Sequence, residues 1–196
     1  MRFLGKQKVW TDRQRIKWKE FFNKEKRLYT EIRKYGGDIL DSESFDSSKA
    51  NIQHGNMTVR QHSINVTKLS LALSKKLPFK FDERALVRGA LLHDYFLYDW
   101  HKHDPANTHK NLHGFYHPGI ALRNAERDFD LSDREREIIK KHMWPLTIIP
   151  PMHREAWVVT MADKYCSTLE TLGLQKGHGP VKDKKSRSHS HYIQLR

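Results

Sequence analysis

Between Ala85 and Phe96 the chain offers almost no polar face to water. Ala85, Leu86, Ala90, Leu91, Leu92 and Phe96 make a helix, capped by Asp82, that is apolar nearly all round. Such a helix belongs at the centre of a helical core, so other helices have to surround it. The rest of the chain supplies them. Residues 12–34 carry Ile16, Phe21, Leu28 and Ile32 at helical period among Lys, Arg and Glu, and Gly36-Gly37 is expected to stop that helix. A second helix is predicted over 58–76, with Pro78 just beyond it. A fourth starts at Pro118 and runs to about Asp128. A fifth opens at Ser132, with Glu135 completing a capping box, and ends near Pro145. The last runs from Arg154 to about Leu172, before Gly173.

Strand signals are almost absent and no internal repeat is visible. Residues 36–57 read as a connecting loop with at most one short turn, and 100–116 as a long loop of the functional kind. The fold class is therefore all-α, a compact bundle of six to seven helices. Residues 1–57 form a basic helix and connecting loop, 58–172 the helical domain, and 173–196 a basic tail expected to be mobile.

Composition narrows the function classes. With 196 residues there is room for one domain with a sizeable core. Five Trp, nine Phe and seven Tyr are too many for a disordered chain. No apolar run approaches the roughly 20 residues that span a bilayer, and the start, Met1 to Lys6, turns polar too soon for a secretory signal. Cys166 is the single cysteine, so no internal disulfide forms. A cytoplasmic protein without a membrane partner is expected. The net charge of +13 favours anionic partners, and it is concentrated in residues 1–34 and 176–187. Nucleic acid bound through these basic termini is one reading, and a solvated helix and tail is the other. Oligomeric state cannot be read from the sequence.

Histidine is the unusual component. Of thirteen, nine lie between His54 and His142, and histidine is the commonest metal ligand. His62 falls early on the second predicted helix and His93-Asp94 late on the third. His117 opens the fourth, His142 closes the fifth and Asp163 sits midway along the sixth. Five successive helices thus each offer a group that binds cations, and a bundle can point such groups at a common centre. Imidazoles with a carboxylate suit a transition metal, and a shared carboxylate can bridge two. Asp94 follows Leu91-Leu92, and Asp163 follows Val158, Val159, Met161 and Ala162. A charge buried in such surroundings is expensive unless a cation accompanies it.

His…His-Asp…Asp, with Gly-Ala-Leu-Leu-His-Asp at 89–94 and Ala-Asp-Lys at 162–164, resembles the HD superfamily of metal-dependent phosphohydrolases over roughly residues 58–168. His117-Pro118-Gly119-Ile120-Ala121 resembles the helix start of the two-metal members, and Ile138 to His142 the helix end that supplies their next ligand. The resemblance implies a bundle of the HD-domain type in which His62, His93, Asp94 and Asp163 hold a first divalent ion. It implies that Asp94 bridges to a second held by His117 and His142. A single ion on the first four residues also fits the superfamily, and the two extra histidines favour the pair. Manganese, iron, zinc, nickel and cobalt all suit this donor set. The chain departs from the cyclic-dinucleotide-cleaving branches, which place Ile-Gly-Lys after His-Asp where Tyr95-Phe96-Leu97 stand here.

The implied activity is hydrolysis of a phosphate ester, in a nucleotide or related phosphorylated small molecule, by a metal-activated water. Besides Asp94, the candidates for catalysis are Lys164, which also suits substrate binding, and His113 and Asp99 as acid or substrate contact. Arg60 and His54 are candidates for holding substrate. Two rivals stand beside this reading. One is a nucleic-acid- or nucleotide-binding protein with a structural metal site, and the other an HD-like di-iron oxygenase.

Overall fold

A computed structural model describes residues 11–97 and 113–175. Seven α-helices lie among them: α1 (Asp12–Leu40), α2 (Glu43–Ser47), α3 (Val59–Ser74), α4 (Glu83–Leu92), α5 (His113–Asp128), α6 (Asp133–Lys141) and α7 (Arg154–Thr171). The fold is all-α, as the periodicity predicts, with one small antiparallel hairpin of β1 (Ile52–His54) and β2 (Met57–Thr58) ahead of α3.

Helix α4 takes the central place. Every residue from Ala85 to Leu92 is buried, and α1, α3, α5, α6 and α7 all pack on it. That stretch has no solvent side, as an all-round apolar segment requires. Its one charged side chain in that stretch, Arg88, is held by Asp38 at 2.6 Å and lies 3.4 Å from the buried Glu135. Two glycines set how closely its neighbours approach. A Cβ on Gly89 would stand 2.6 Å from Ile138 Cδ1 on α6, and one on Gly36 would stand 2.5 Å from Leu91 Cδ1. Backbone contact at these crossings draws α1 and α6 in against α4.

The first helix is interrupted at Gly36, where its end is expected: the backbone leaves helical geometry there (φ −127°, ψ 23°), and a short second helical stretch follows across this kink to Leu40. The apolar Ile39 and Leu40 explain that stretch, because both are buried in the core. The segment expected to be loop up to residue 57 instead holds α2, capped by Ser42, a short 3-10 turn (Ser48–Ala50) and the hairpin. Short elements of this length carry too little periodicity to be read from sequence. Helix α3 starts with a reciprocal capping box between Thr58 and Gln61, and α6 with the expected one between Ser132 and Glu135.

Two boundaries also differ from expectation. Helix α5 begins at His113, which leaves Pro118 inside it. Pro118 is the sixth residue of the helix, so it has no N–H to give to the carbonyl of Gly114 one turn earlier. Helix α6 stops at Lys141 and is capped by His142, short of Pro145. No helix among the described residues is long and apolar enough to cross a membrane.

Candidate metal centre

His93 is the residue at which α4 ends. Its Nδ1 donates to the carbonyl of Ala90 at 2.8 Å, one of the acceptors a helix terminus leaves unpaired. A carbonyl only accepts, so Nδ1 carries the hydrogen and Nε2 is left for the interior. His142 repeats the arrangement at the end of α6, with Nδ1 donating to Ile139 O at 2.8 Å. His62, in the first turns of α3, uses its Nδ1 on the carboxylate of Glu170 at 2.8 Å. Three imidazoles are thus oriented from behind, and all three are fully or almost fully buried.

Asp94 stands between them and divides its two oxygens. Oδ2 lies 3.3 Å from His93 Nε2 and 3.5 Å from His62 Nε2. Oδ1 lies 3.2 Å from His117 Nε2 and 3.5 Å from His142 Nε2. Asp163 joins the first pair, its Oδ1 3.2 Å from His62 Nε2 and 3.8 Å from His93 Nε2. The His117 and His142 Nε2 atoms face each other at 2.9 Å. Two groups have all their ligand atoms within 4.8 Å of one another: His62, His93 and Asp94, and Asp94, His117 and His142. The structure therefore brings six buried residues from five helical segments to one place.

The donor set fits a cation. Nitrogen and carboxylate ligands of this kind suit divalent transition metals. At the centre, Asp94 Oδ1 and His93 Nε2 are buried and make no hydrogen bond among the described residues. Buried polar atoms are rarely left so, and these two point at the shared space. The electrostatics are coupled throughout. Burial opposes the charge of Asp94, yet the neighbouring imidazoles of His93, His117 and His142 hold its pKa well below the usual carboxylate range. Asp163 is likewise held low, burial being outweighed by His62 and His93. Burial would push the His62 imidazole down, but Asp163 and Glu170 raise it to about 9. Burial of His93 is overcome by Asp94 and Asp163, which raise it to about 10. Burial takes His142 the other way, to about 4.

The remaining sequence candidates fall at different places. Lys164 lies at the rim, its partly exposed Nζ 3.2 Å from Asp163 Oδ2 and 3.4 Å from the carbonyl of His142. His54, on β1, sets its ring edge-on to His62 with centroids 5.4 Å apart, and burial together with His62 pushes its imidazole down. Arg60 turns to Asp46, 3.5 Å from Nε, and covers the Phe45 ring. Asp99 and the loop histidines His101, His103 and His109 lie outside the described residues, as do the basic segments 1–10 and 176–196. His113 is described only as the first residue of α5.

Three residues at the centre escape a reading of the sequence. Gln53, buried on β1, donates from Nε2 to Asp94 Oδ2 at 2.6 Å. Ser167 donates to Asp163 Oδ1 at 3.0 Å. Glu170 holds His62. Ser167 and Glu170 follow Asp163 by four and seven positions, which puts them on its face of α7. That spacing was the available signal. Nothing in the local sequence marks Gln53, because only the hairpin brings it to Asp94.

A model of the HD domain matches residues 59–168, more than half of the chain. The chain belongs to the HD-domain family, a superfamily of metal-dependent hydrolases. Comparison with curated proteins and with solved structures gives no significant match.

Proposed function

We propose that this chain is a metal-dependent phosphohydrolase that cleaves a phosphate ester of a nucleotide or related phosphorylated metabolite. The observation that carries this reading is the division of Asp94, one oxygen toward His62 and His93 and the other toward His117 and His142. A carboxylate so placed suits a bridge between two divalent ions, the first held also by Asp163. Divalent ions held there would supply activation of water for attack on phosphorus and would offset the charge of the phosphoryl oxygens.

The chain's own residues divide the remaining work. His93 and His142 are tied to backbone carbonyls, so their Nε2 atoms are presented without a search through rotamers. Gln53 fixes Asp94 from the hairpin side. Lys164 is partly exposed and lies 3.2 Å from Asp163, which suits it to a phosphoryl oxygen of an arriving substrate. His54 borders the first group of ligands and suits a substrate contact or proton transfer. Asp99 and His113 remain candidates for the same roles from the segment that joins Asp94 to His117. The HD-type domain is taken as residues 58–172. Which of manganese, iron, zinc, nickel or cobalt serves, and as one ion or two, is decided by loading rather than by the donor types.

The test is phosphate release from nucleoside monophosphates, cyclic nucleotides and sugar phosphates with each of these metals. Release that a chelator abolishes, and that added metal restores, supports the reading. No release from any ester with any metal contradicts it.

A further inference from the structure

His62 is gripped on both sides by one helix. Its Nε2 lies 3.2 Å from Asp163 Oδ1, and its Nδ1 donates to Glu170 Oε2 at 2.8 Å. Both carboxylates belong to α7, seven positions apart, and both are buried. Glu170 has no Lys or Arg partner among the described residues, and its Oε1 makes no hydrogen bond. A buried carboxylate whose sole charged partner is an imidazole is costly to keep for stability alone. The hairpin packs against the backbone of the same residue, since a Cβ on Gly55 (φ +58°) would stand 3.2 Å from the Glu170 main-chain carbonyl. Glu170 also lies two positions beyond the end of the HD-domain match.

We propose that Glu170 is a positioning residue for the metal centre, holding His62 in the tautomer and orientation that present Nε2 to the first ion. A carboxylate can only accept, so Glu170 keeps a hydrogen on Nδ1, which leaves Nε2 as the ring atom that would serve a cation bound beside Asp94 and Asp163. The negative charge behind the ring also makes the imidazole a stronger donor to a cation. Metal-binding histidines commonly have such a partner, and His93 and His142 have backbone carbonyls in that role. His62 sits too early in its helix to cap it, and α7 supplies a side chain instead. This inference rests on the metal-centre reading given above.

The experiment uses the full chain with Co2+ as probe, stripped of metal beforehand, and compares wild type with Glu170→Leu, Glu170→Gln and the control Glu155→Gln. Glu155 is an equally buried carboxylate, but it serves Arg134 and the backbone of Asp82. Co2+ affinity is read by titration of its visible absorption, and folding by circular dichroism in chelator. The expected result is a loss of about 10- to 100-fold in affinity for Glu170→Leu with a changed cobalt spectrum. Glu170→Gln, whose carbonyl still accepts from Nδ1, falls between it and wild type, and Glu155→Gln matches wild type. Affinity and spectrum unchanged in folded Glu170→Leu overturn the proposal, as does an equal loss in Glu155→Gln. Should Glu170→Leu fail to fold, Glu170→Gln decides alone, and wild-type affinity and spectrum in it overturn the proposal. Wild type that takes up no Co2+ removes the metal centre itself and this role with it. Wild type that binds, with variants indistinguishable from it, removes only the role of Glu170.

Discussion

His93 and His142 terminate different helices by the same bond. Each gives its Nδ1 hydrogen to the carbonyl three residues before it, and the two rings meet edge to face with centroids 5.0 Å apart. Helix capping and the orientation of each imidazole are therefore one interaction. The backbone acceptor that α4 or α6 would otherwise leave unpaired fixes the tautomer of an imidazole aimed at Asp94.

His142 belongs to the group on Asp94 Oδ1 and has no place in the group on Oδ2. Substituting alanine should remove one ion and leave the other on His62, His93, Asp94 and Asp163. Metal analysis of the desalted His142→Ala protein should give one ion per chain where wild type gives two. Phosphate release should fall by about 100-fold or more, since the paired clamp on attacking and leaving oxygens is gone.

The crossing of α4 and α6 carries both terminal histidines, and its closeness depends on Gly89. Alanine there meets the Ile138 side chain at 2.6 to 2.8 Å, so the helices must separate or Ile138 must shift. Gly89→Ala should cost about 1–3 kcal/mol by denaturant unfolding. In an Ile138→Ala background the cost of Gly89→Ala should be smaller, because two of the three colliding atoms, Cδ1 and Cγ2, are gone. A double-mutant cycle reads this coupling, and simple additivity would show that the contact is not the cause.

Glu137 ties the segment after α6 to the start of α7. Its carboxylate accepts from the Met152 amide, from His153 and from Lys141. Burial opposes its charge, but these partners outweigh it and hold its pKa below the ordinary value of 4.5. A carboxylate lowered by folding stabilises above its unfolded pKa, and that contribution is lost as pH falls through the folded value. The stability difference between wild type and Glu137→Gln should therefore be full near pH 7 and shrink as the pH drops below about 4.5. Urea unfolding of the metal-free proteins between pH 7 and 3 measures it. A difference that stays constant over that range would contradict the assignment.

The six candidate ligands were legible because each breaks an otherwise regular pattern. Asp94 and Asp163 are charges in apolar helices, and His62, His117 and His142 recur at helix ends or beginnings in a fixed order. The all-α class followed from helical periodicity, and the central place of α4 from its lack of a polar face. What supports the ligands was less visible. Gln53 reaches Asp94 across 41 positions through a hairpin whose strands are too short to show alternation. Glu170 looks like an ordinary polar residue in a helix until the face it shares with Asp163 is considered. The short helical stretch beyond the kink at Gly36 was hidden for a related reason. Gly36 serves the approach of Leu91 as well as the break, and the residues beyond it are recruited by the core.

The most direct test of the centre is the metal content of Asp94→Ala beside wild type, both loaded with Mn2+ and desalted, by inductively coupled plasma mass spectrometry. Asp94 is the one residue common to the two ligand groups. Wild type should hold two ions per chain and the variant fewer than about 0.2, with folding retained by circular dichroism. Wild-type metal content in a folded Asp94→Ala protein would contradict that expectation.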